Sequence, residues 1–386
     1  MGQRTGKKRN KKEFFYDYTL LIIVMFLVCF GLVMLYSVSS YSAMSEHGDP
    51  AHYLKSQIFA TVVGVGVMIF LNIVDYHVWE KFATLGYVVA NVLILLVLSP
   101  RGITKNGATR WIDVFGISLQ PAEVAKIAII LLNAVLICKI GRGITRVKSY
   151  AILMGIALVP ASLIFFVTSN LSSALIVMGI TALMCFVADP KYKKHLVVFG
   201  ALIVLAVAGI ALILVLTGGE TGSGDYRFDR VLAWLDPEAF ASDDGFQILQ
   251  ALYAIGSGGI WGKGLGQSMQ KLGFLPEAQN DMVFSIICEE LGLFGAFCVL
   301  LLFIMLIWRF MFIANNAPDL FGALLVVGVM AHFAIQVILN IAVVTNSIPN
   351  TGITLPFISY GGSSVVFLLA EIGLVLNVAS QIQIQD

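Results

Sequence analysis

The sequence predicts an all-α polytopic membrane protein, and three observations carry that prediction. Apolar residues fill 59% of the 386 positions and charged residues only 12%, where a soluble domain carries roughly 25% charged. The apolar residues fall into ten runs long enough to cross a hydrocarbon core about 30 Å thick. Lys and Arg collect on alternate connections, as they do when a membrane fixes the topology. A water-soluble enzyme of ordinary architecture, a disordered chain and a disulfide-stapled module are all excluded.

The runs cover about 18–38, 57–75, 83–99, 121–138, 149–167, 171–188, 196–217, 282–307, 322–346 and 363–382. Each is expected to be a helix, because backbone groups in lipid must bond within their own segment. Residues 1–17 are expected to form a basic cytoplasmic tail carrying Arg4, Lys7, Lys8, Arg9, Lys11 and Lys12, and residues 18–386 a ten-helix membrane domain. The first run exceeds a signal-peptide core of about 7–15 residues, so it is expected to stay as an anchor. With the N-terminus inside, the inside segments hold 15 Lys and Arg and the much longer outside segments 9. Both termini are therefore expected in the cytoplasm, with a large outside loop, 218–281, between spans 7 and 8. The chain's net charge of +1 is then a cancellation across the membrane.

The five cysteines (Cys29, Cys138, Cys185, Cys288, Cys298) lie in or at the ends of the runs without CxxC spacing. They suggest packing residues, neither a zinc site nor a disulfide framework. No internal repeat is visible, which weakens a transporter built on inverted repeats.

Chemistry is confined to three polar clusters on the outer side. The first runs from Asn106 to Ile112 and continues as Gln120-Pro121-Ala122-Glu123-Val124-Ala125-Lys126. Pro121 suits a first helical turn, and Glu123 favours the helix dipole and can pair with Lys126 at i,i+3. Two readings stay open: helix-start chemistry with a rim ion pair, or a cavity wall where Arg110 and Lys126 meet an anionic headgroup. The second cluster contains Gly245-Phe246-Gln247, the glycine-rich stretch from Gly256 to Gly266 with Lys263, and Leu275-Pro276-Glu277-Ala278-Gln279-Asn280-Asp281. The glycines fail the phosphate-loop pattern, since Ser257 stands where Gly is needed and Gly264 follows Lys263.

Asp281 precedes span 8 and has two readings: an N-cap, or a general base whose carboxylate is tuned by burial and nearby charge. Glu289 and Glu290 lie deeper in the same span and must face protein or water. They suggest contacts inside the bundle, with a proton or ion path as the alternative. The third cluster, Pro349 to Ser364, has prolines and glycines that suit a non-helical segment entering the bundle. His332, Gln336 and Asn340 precede it on one helix face, and His332 suggests a packing residue, not a metal ligand.

The chain resembles the SEDS family (shape, elongation, division and sporulation), the FtsW/RodA/SpoVE group of bacterial cell-wall proteins. The resemblance spans nearly the whole chain. It is carried by Asp17, Tyr36-Ser37-Val38-Ser39-Ser40, Arg110-Trp111, Gln120-Pro121-Ala122-Glu123, Arg230 with Leu235-Asp236-Pro237, Leu275-Pro276-Glu277, Glu289-Glu290-Leu291-Gly292, and the run Thr351 to Gly362. It sits closer to the division and sporulation branch than to the elongation branch.

The family's ten-helix topology with a large loop between helices 7 and 8 agrees with the charge count. The resemblance implies polymerisation of lipid II, an undecaprenyl-pyrophosphate-linked disaccharide, into β-1,4 glycan strands at the outer membrane face. Its proposed catalytic aspartate falls on Asp281, and its Arg, Glu and Lys fall on Arg110, Glu123 and Lys126. Lys263, Ser359 and Gly361 join these as candidate substrate contacts. An inverting displacement needs one base and no covalent intermediate. No metal-ligand set is evident, although a divalent cation, Mg or Mn, is compatible with the pyrophosphate chemistry.

Implied partners are lipid II, a class B penicillin-binding transpeptidase and other divisome or elongasome membrane proteins, with no nucleic acid. Two rival functions are a lipid II flippase and a non-catalytic scaffold for a transpeptidase. Where many members carry an acidic residue after helix 5, this chain has Asn170, which cannot ionise.

Overall fold

The computed structural model describes residues 17–105, 108–114, 117–217, 226–241 and 244–382. The basic stretch before Asp17, Asn106 and Gly107 of the first cluster, and parts of the 218–281 segment lie outside the described residues. Every expected run is a helix. In chain order these are α1 (Tyr18–His47), α2 (His52–Ile73), α3 (Tyr76–Leu96), α4 (Pro121–Ile140), α5 (Val147–Thr168), α6 (Leu171–Ala188) and α7 (Lys193–Thr217). They continue as α10 (Val283–Asn316), α11 (Leu320–Val344) and α12 (Gly362–Ser380). Among the described residues, nine helices are long and apolar enough to cross a membrane, and α7 covers the remaining run.

The loop between α7 and α10 folds two further helices, α8 (Tyr226–Leu235) and α9 (Asp244–Gly258). The helical class holds, with one addition. Residues 102–119 form a three-stranded antiparallel sheet, β1 (Gly102–Lys105), β2 (Ala108–Val114) and β3 (Ile117–Leu119), in the order β1-β2-β3. Alternation over Thr109-Arg110-Trp111-Ile112-Asp113 puts Ile112 in the core and leaves Asp113 exposed, as a half-buried strand requires. Such short strands give little signal beside spans of twenty residues.

Sequence signals set the helix ends. Asp17 caps α1 by accepting from Leu20 N at 2.9 Å, and its other oxygen accepts from Arg309 Nη2 at 2.6 Å, tying the start of α1 to α10. Pro121 occupies the first turn of α4, as its missing N–H allows. Asn170 caps α6, accepting from Ser173 N at 3.0 Å. That role needs an acceptor and no charge, which accounts for an amide at this position.

Packing relies on close approach of small residues, the usual device where lipid removes any hydrophobic drive between helices. A Cβ on Gly373 of α12 would lie 2.5 Å from the Met68 carbonyl of α2. Gly31 of α1 lies against the Phe357 carbonyl, so the segment between α11 and α12 passes directly over α1. That segment, 345–361, is non-helical, and Ile353, Leu355, Phe357 and Ile358 are buried in the core. The expected non-helical insertion is therefore present.

α10 breaks at Gly292 (φ 69°). The strand of chain leaving α9 repairs the break. Lys263 N donates to the Glu289 carbonyl and Gly264 N to that of Glu290, both at 2.9 Å. In return, Leu293 N and Phe294 N donate to the carbonyls of Gly259 and Ile260. Backbone groups freed by a kink at membrane depth are thus satisfied by protein.

Candidate functional site

Asp281 lies one residue before the cap position of α10, Met282, which carries no side-chain cap bond. The capping alternative therefore fails, and the carboxylate is left for other work. It is 8% exposed. Its backbone is fixed by α11: Asn340 Nδ2 donates to the Asp281 carbonyl at 2.8 Å and to the Ile353 carbonyl at 2.7 Å. Tyr360 N donates to the Gln279 carbonyl at 2.8 Å. These bonds sew the 279–281 turn to the non-helical segment of the third cluster.

The side chain meets an amide. Gln247 Nε2 of α9 approaches Asp281 Oδ1 at 3.5 Å and donates to the Pro276 carbonyl at 3.2 Å. Gln247 Oε1 accepts from Asn350 Nδ2 at 2.7 Å. Burial is the main cause that pushes the Asp281 carboxyl up to about 7, and the neighbouring charge of Glu277 adds to it. The Asp281 amide and Arg230 act in the opposite direction. Glu277 (φ 52°), Ser169 (φ 49°) and Phe357 (φ 65°) all hold left-handed backbone in the segments that frame this site; such conformations persist only where surrounding structure imposes them.

Arg110 lies on β2, and its Nη2 donates to the Ser169 carbonyl at 3.1 Å. Ser172, at the start of α6, donates to the Thr351 carbonyl. The first and third clusters therefore meet through the α5–α6 junction, and Gly352 brings the chain to Asp281: a Cβ on Gly352 would lie 3.8 Å from Asp281 Oδ2. Glu123 and Lys126 form the expected i,i+3 ion pair at 2.8 Å, with both side chains buried. This differs from an exposed rim pair. Lys126 Nζ faces Glu123, whose Oε2 is buried with no partner among the described residues.

Lys263 also has a protein partner, Glu289 Oε1 at 2.7 Å, and it donates to Ser257 Oγ at 2.9 Å. Ser268 Oγ and the Met269 and Gln270 amides also donate to Glu289. Glu290 accepts from Lys271 Nζ at 2.6 Å and from Ser37 Oγ of α1. The two glutamates are thus bundle contacts, as the first of their two readings has it.

Ser359 Oγ accepts from Leu355 N at 2.8 Å, a local turn bond. Gly361 N donates to Gln57 Oε1 of α2 at 3.2 Å. Both border a small recess shared with Thr354 and Ser364. His332 Nδ1 pairs with Glu371 of α12 at 2.8 Å, as a packing histidine would. Among the described residues no three His, Cys, Asp or Glu side chains converge as a metal site requires.

Sequence reasoning did not assign Gln247, Asn340 or Asn350. Asn340 was signalled only by its i,i+4 file with His332 and Gln336. Gln247 and Asn350 stood inside the polar clusters without a role, because their partner is remote in sequence.

Comparison with known proteins follows the same segments. A family described as "Cell cycle protein", covering FtsW, RodA and SpoVE, matches residues 18–384. Stage V sporulation protein E of Bacillus subtilis is 40% identical over 365 residues, 94% of this chain and 96% of that protein. A probable peptidoglycan glycosyltransferase FtsW from Geobacter metallireducens is 37% identical, covering 97% of this chain and 98% of the relative. Among solved structures, a chain of a peptidoglycan synthase complex that coordinates polymerization and crosslinking aligns with a TM-score of 0.75 at 29% identity, covering 94% and 97% of the two chains. The rod shape determining protein RodA of Thermus thermophilus aligns at 0.68 and 28% identity, covering 96% and 98%.

Proposed function

Since the chain belongs to the FtsW, RodA and SpoVE family, we propose that it is a peptidoglycan glycosyltransferase that polymerises lipid II with Asp281 as its general base. It is a multi-pass protein of the bacterial cytoplasmic membrane. The observation that carries the proposal is the setting of Asp281: a buried carboxylate, raised to about 7, beside Gly352 of the third cluster, which Ser172 and Ser169 link to Arg110 of the first. A base poised near the working pH combines a useful ionised fraction with a useful driving force for proton transfer.

The acceptor sugar hydroxyl gives its proton to Asp281 as its oxygen attacks the anomeric carbon of the donor strand. Undecaprenyl pyrophosphate leaves with the bonding electrons. One displacement inverts the α-linked donor to a β-1,4 linkage, so no covalent enzyme intermediate is needed. Arg110 faces the developing pyrophosphate charge in this reading, and Lys126, with Glu123, supplies fixed buried charge behind it. Lys263, Ser359 and Gly361 act by holding the loop and the non-helical segment around the substrate. A divalent cation finds no protein ligand set here among the described residues, so no step is assigned to one. The partner that crosslinks the product is a class B transpeptidase, in keeping with the synthase complex that the fold resembles.

Purified protein with labelled lipid II in detergent tests the reading, with and without that partner. Wild-type protein should make glycan polymer and Asp281→Asn none, with both variants equally folded. Polymer from Asp281→Asn at the wild-type rate would overturn it.

A further inference from the structure

We propose that Gln247 and Asn350 form a polar clamp that positions the Asp281 carboxylate and ties the loop helix α9 to the base. The proposal rests on the reading of Asp281 as that base.

The clamp has a polarity fixed at one end by the backbone. Gly352 N can only donate, and it donates to Asn350 Oδ1 at 3.0 Å. That settles which way the Asn350 amide points, so Nδ2 faces Gln247 and donates to Oε1 at 2.7 Å. Gln247 Oε1 is then committed, and Nε2 must face the other way. There it finds two groups that can only accept, the Pro276 carbonyl at 3.2 Å and Asp281 Oδ1 at 3.5 Å. An amide flip at either residue would set carbonyl against acceptor or donor against donor. The direction of all four bonds follows from one backbone N–H.

The two carboxylate oxygens are thereby made different. Oδ1 has the amide donor. Oδ2 lies on the Gly352 side, where a Cβ on Gly352 would stand 3.8 Å from it. Gly352 has φ +67°, which glycine adopts without strain. The geometry assigns Oδ2 as the atom that receives the substrate proton. The Gln247 contact is long in the free protein, and catalytic hydrogen bonds of this kind tighten when substrate fills the site.

The groups facing Asp281 from each packed element are Gln247 on α9, Arg230 on α8, Glu277 on its own turn, Asn340 on α11 through the backbone, and Gly352 on the segment between α11 and α12. Of these only Arg230 and Glu277 carry charge. A neutral donor from Gln247 therefore favours the ionised base without adding a third charge, and any loss of it should move the pH at which the base ionises.

The test is the pH profile of kcat/KM for lipid II polymerisation, measured on the full chain between about pH 5.5 and 9, with folding followed by thermal denaturation. Gln247→Ala should reduce kcat/KM about tenfold and shift the acid limb up by about half a pH unit. Asn350→Asp can only accept, so it should turn the Gln247 amide, bring Oε1 to Asp281, and raise the limb by about one unit. The double variant Gln247→Ala with Asn350→Ala should be no worse than Gln247→Ala alone, since both break one unit. Losses that multiply, or limbs that stay at the wild-type pH, would overturn the clamp. Asp281→Asn is measured beside them. If it is inactive while Gln247→Ala keeps the wild-type limb, the clamp fails and the base stands. If it is fully active, the base assignment fails and the clamp with it.

Discussion

Asp281 and the pair Glu289–Glu290 lie about two helical turns apart, and the protein uses them in opposite ways. Each glutamate is closed off by a lysine, a serine and the chain around them: Lys263 and Ser268 on Glu289, Lys271 and Ser37 on Glu290. Asp281 has no such partner described. The side-chain donor described for its carboxylate is the neutral amide of Gln247 at 3.5 Å, and burial lifts its carboxyl toward neutrality. A carboxylate with a full set of donors fixes structure, and one with an incomplete set is available to a proton. The environment, not the residue type, separates the two.

Substitutions can break that contrast in order of effect. Asp281→Asn should cost at least about a thousandfold in polymerisation, the upper range for removing a general base, with thermal stability unchanged. Lys271→Ala should do the reverse. It leaves Glu290 buried without its cation, a loss of about 3–5 kcal/mol, seen as a lowered denaturation temperature or a failure to accumulate. Replacing both members, Lys271→Met with Glu290→Gln, should recover much of that stability. Gly292→Ala should cost about 1–3 kcal/mol, because φ is 69° there and a Cβ would press on the Gly262 amide. Asn170→Ala should be mildest, about 1 kcal/mol for a lost cap, with activity retained; an inactive but folded Asn170→Ala would give this residue a role in the chemistry.

Sequence patterning found every helical run because long apolar runs have one solution in lipid. α1 (Tyr18–His47) and α10 (Val283–Asn316) nonetheless run on past the expected ends, and α3 (Tyr76–Leu96) starts earlier, where polar residues extend the helices beyond the apolar stretch. The expected run 171–188 is α6 to the residue, and Pro121 and Glu123 stand where α4 begins. The sheet at 102–119 escaped because its strands are only three to seven residues long. Asp281 could be named from its place before a span and from family resemblance, and Glu123–Lys126 from spacing. Their surroundings could not. Whether Lys126 and Lys263 face substrate or a glutamate depends on side-chain direction. The Gln247–Asn350 contact joins residues 103 positions apart, and local pattern carries no record of such pairs.

The role of Asp281 as the base is read out by the acid limb of kcat/KM for the wild-type protein acting on lipid II. The base must be ionised to accept a proton, so a raised carboxyl means that activity falls as pH drops. The limb should centre near pH 7 and vanish with Asp281→Asn. A limb near the ordinary aspartate value of about 4, or a flat rate from about pH 5 to 8, would contradict the account.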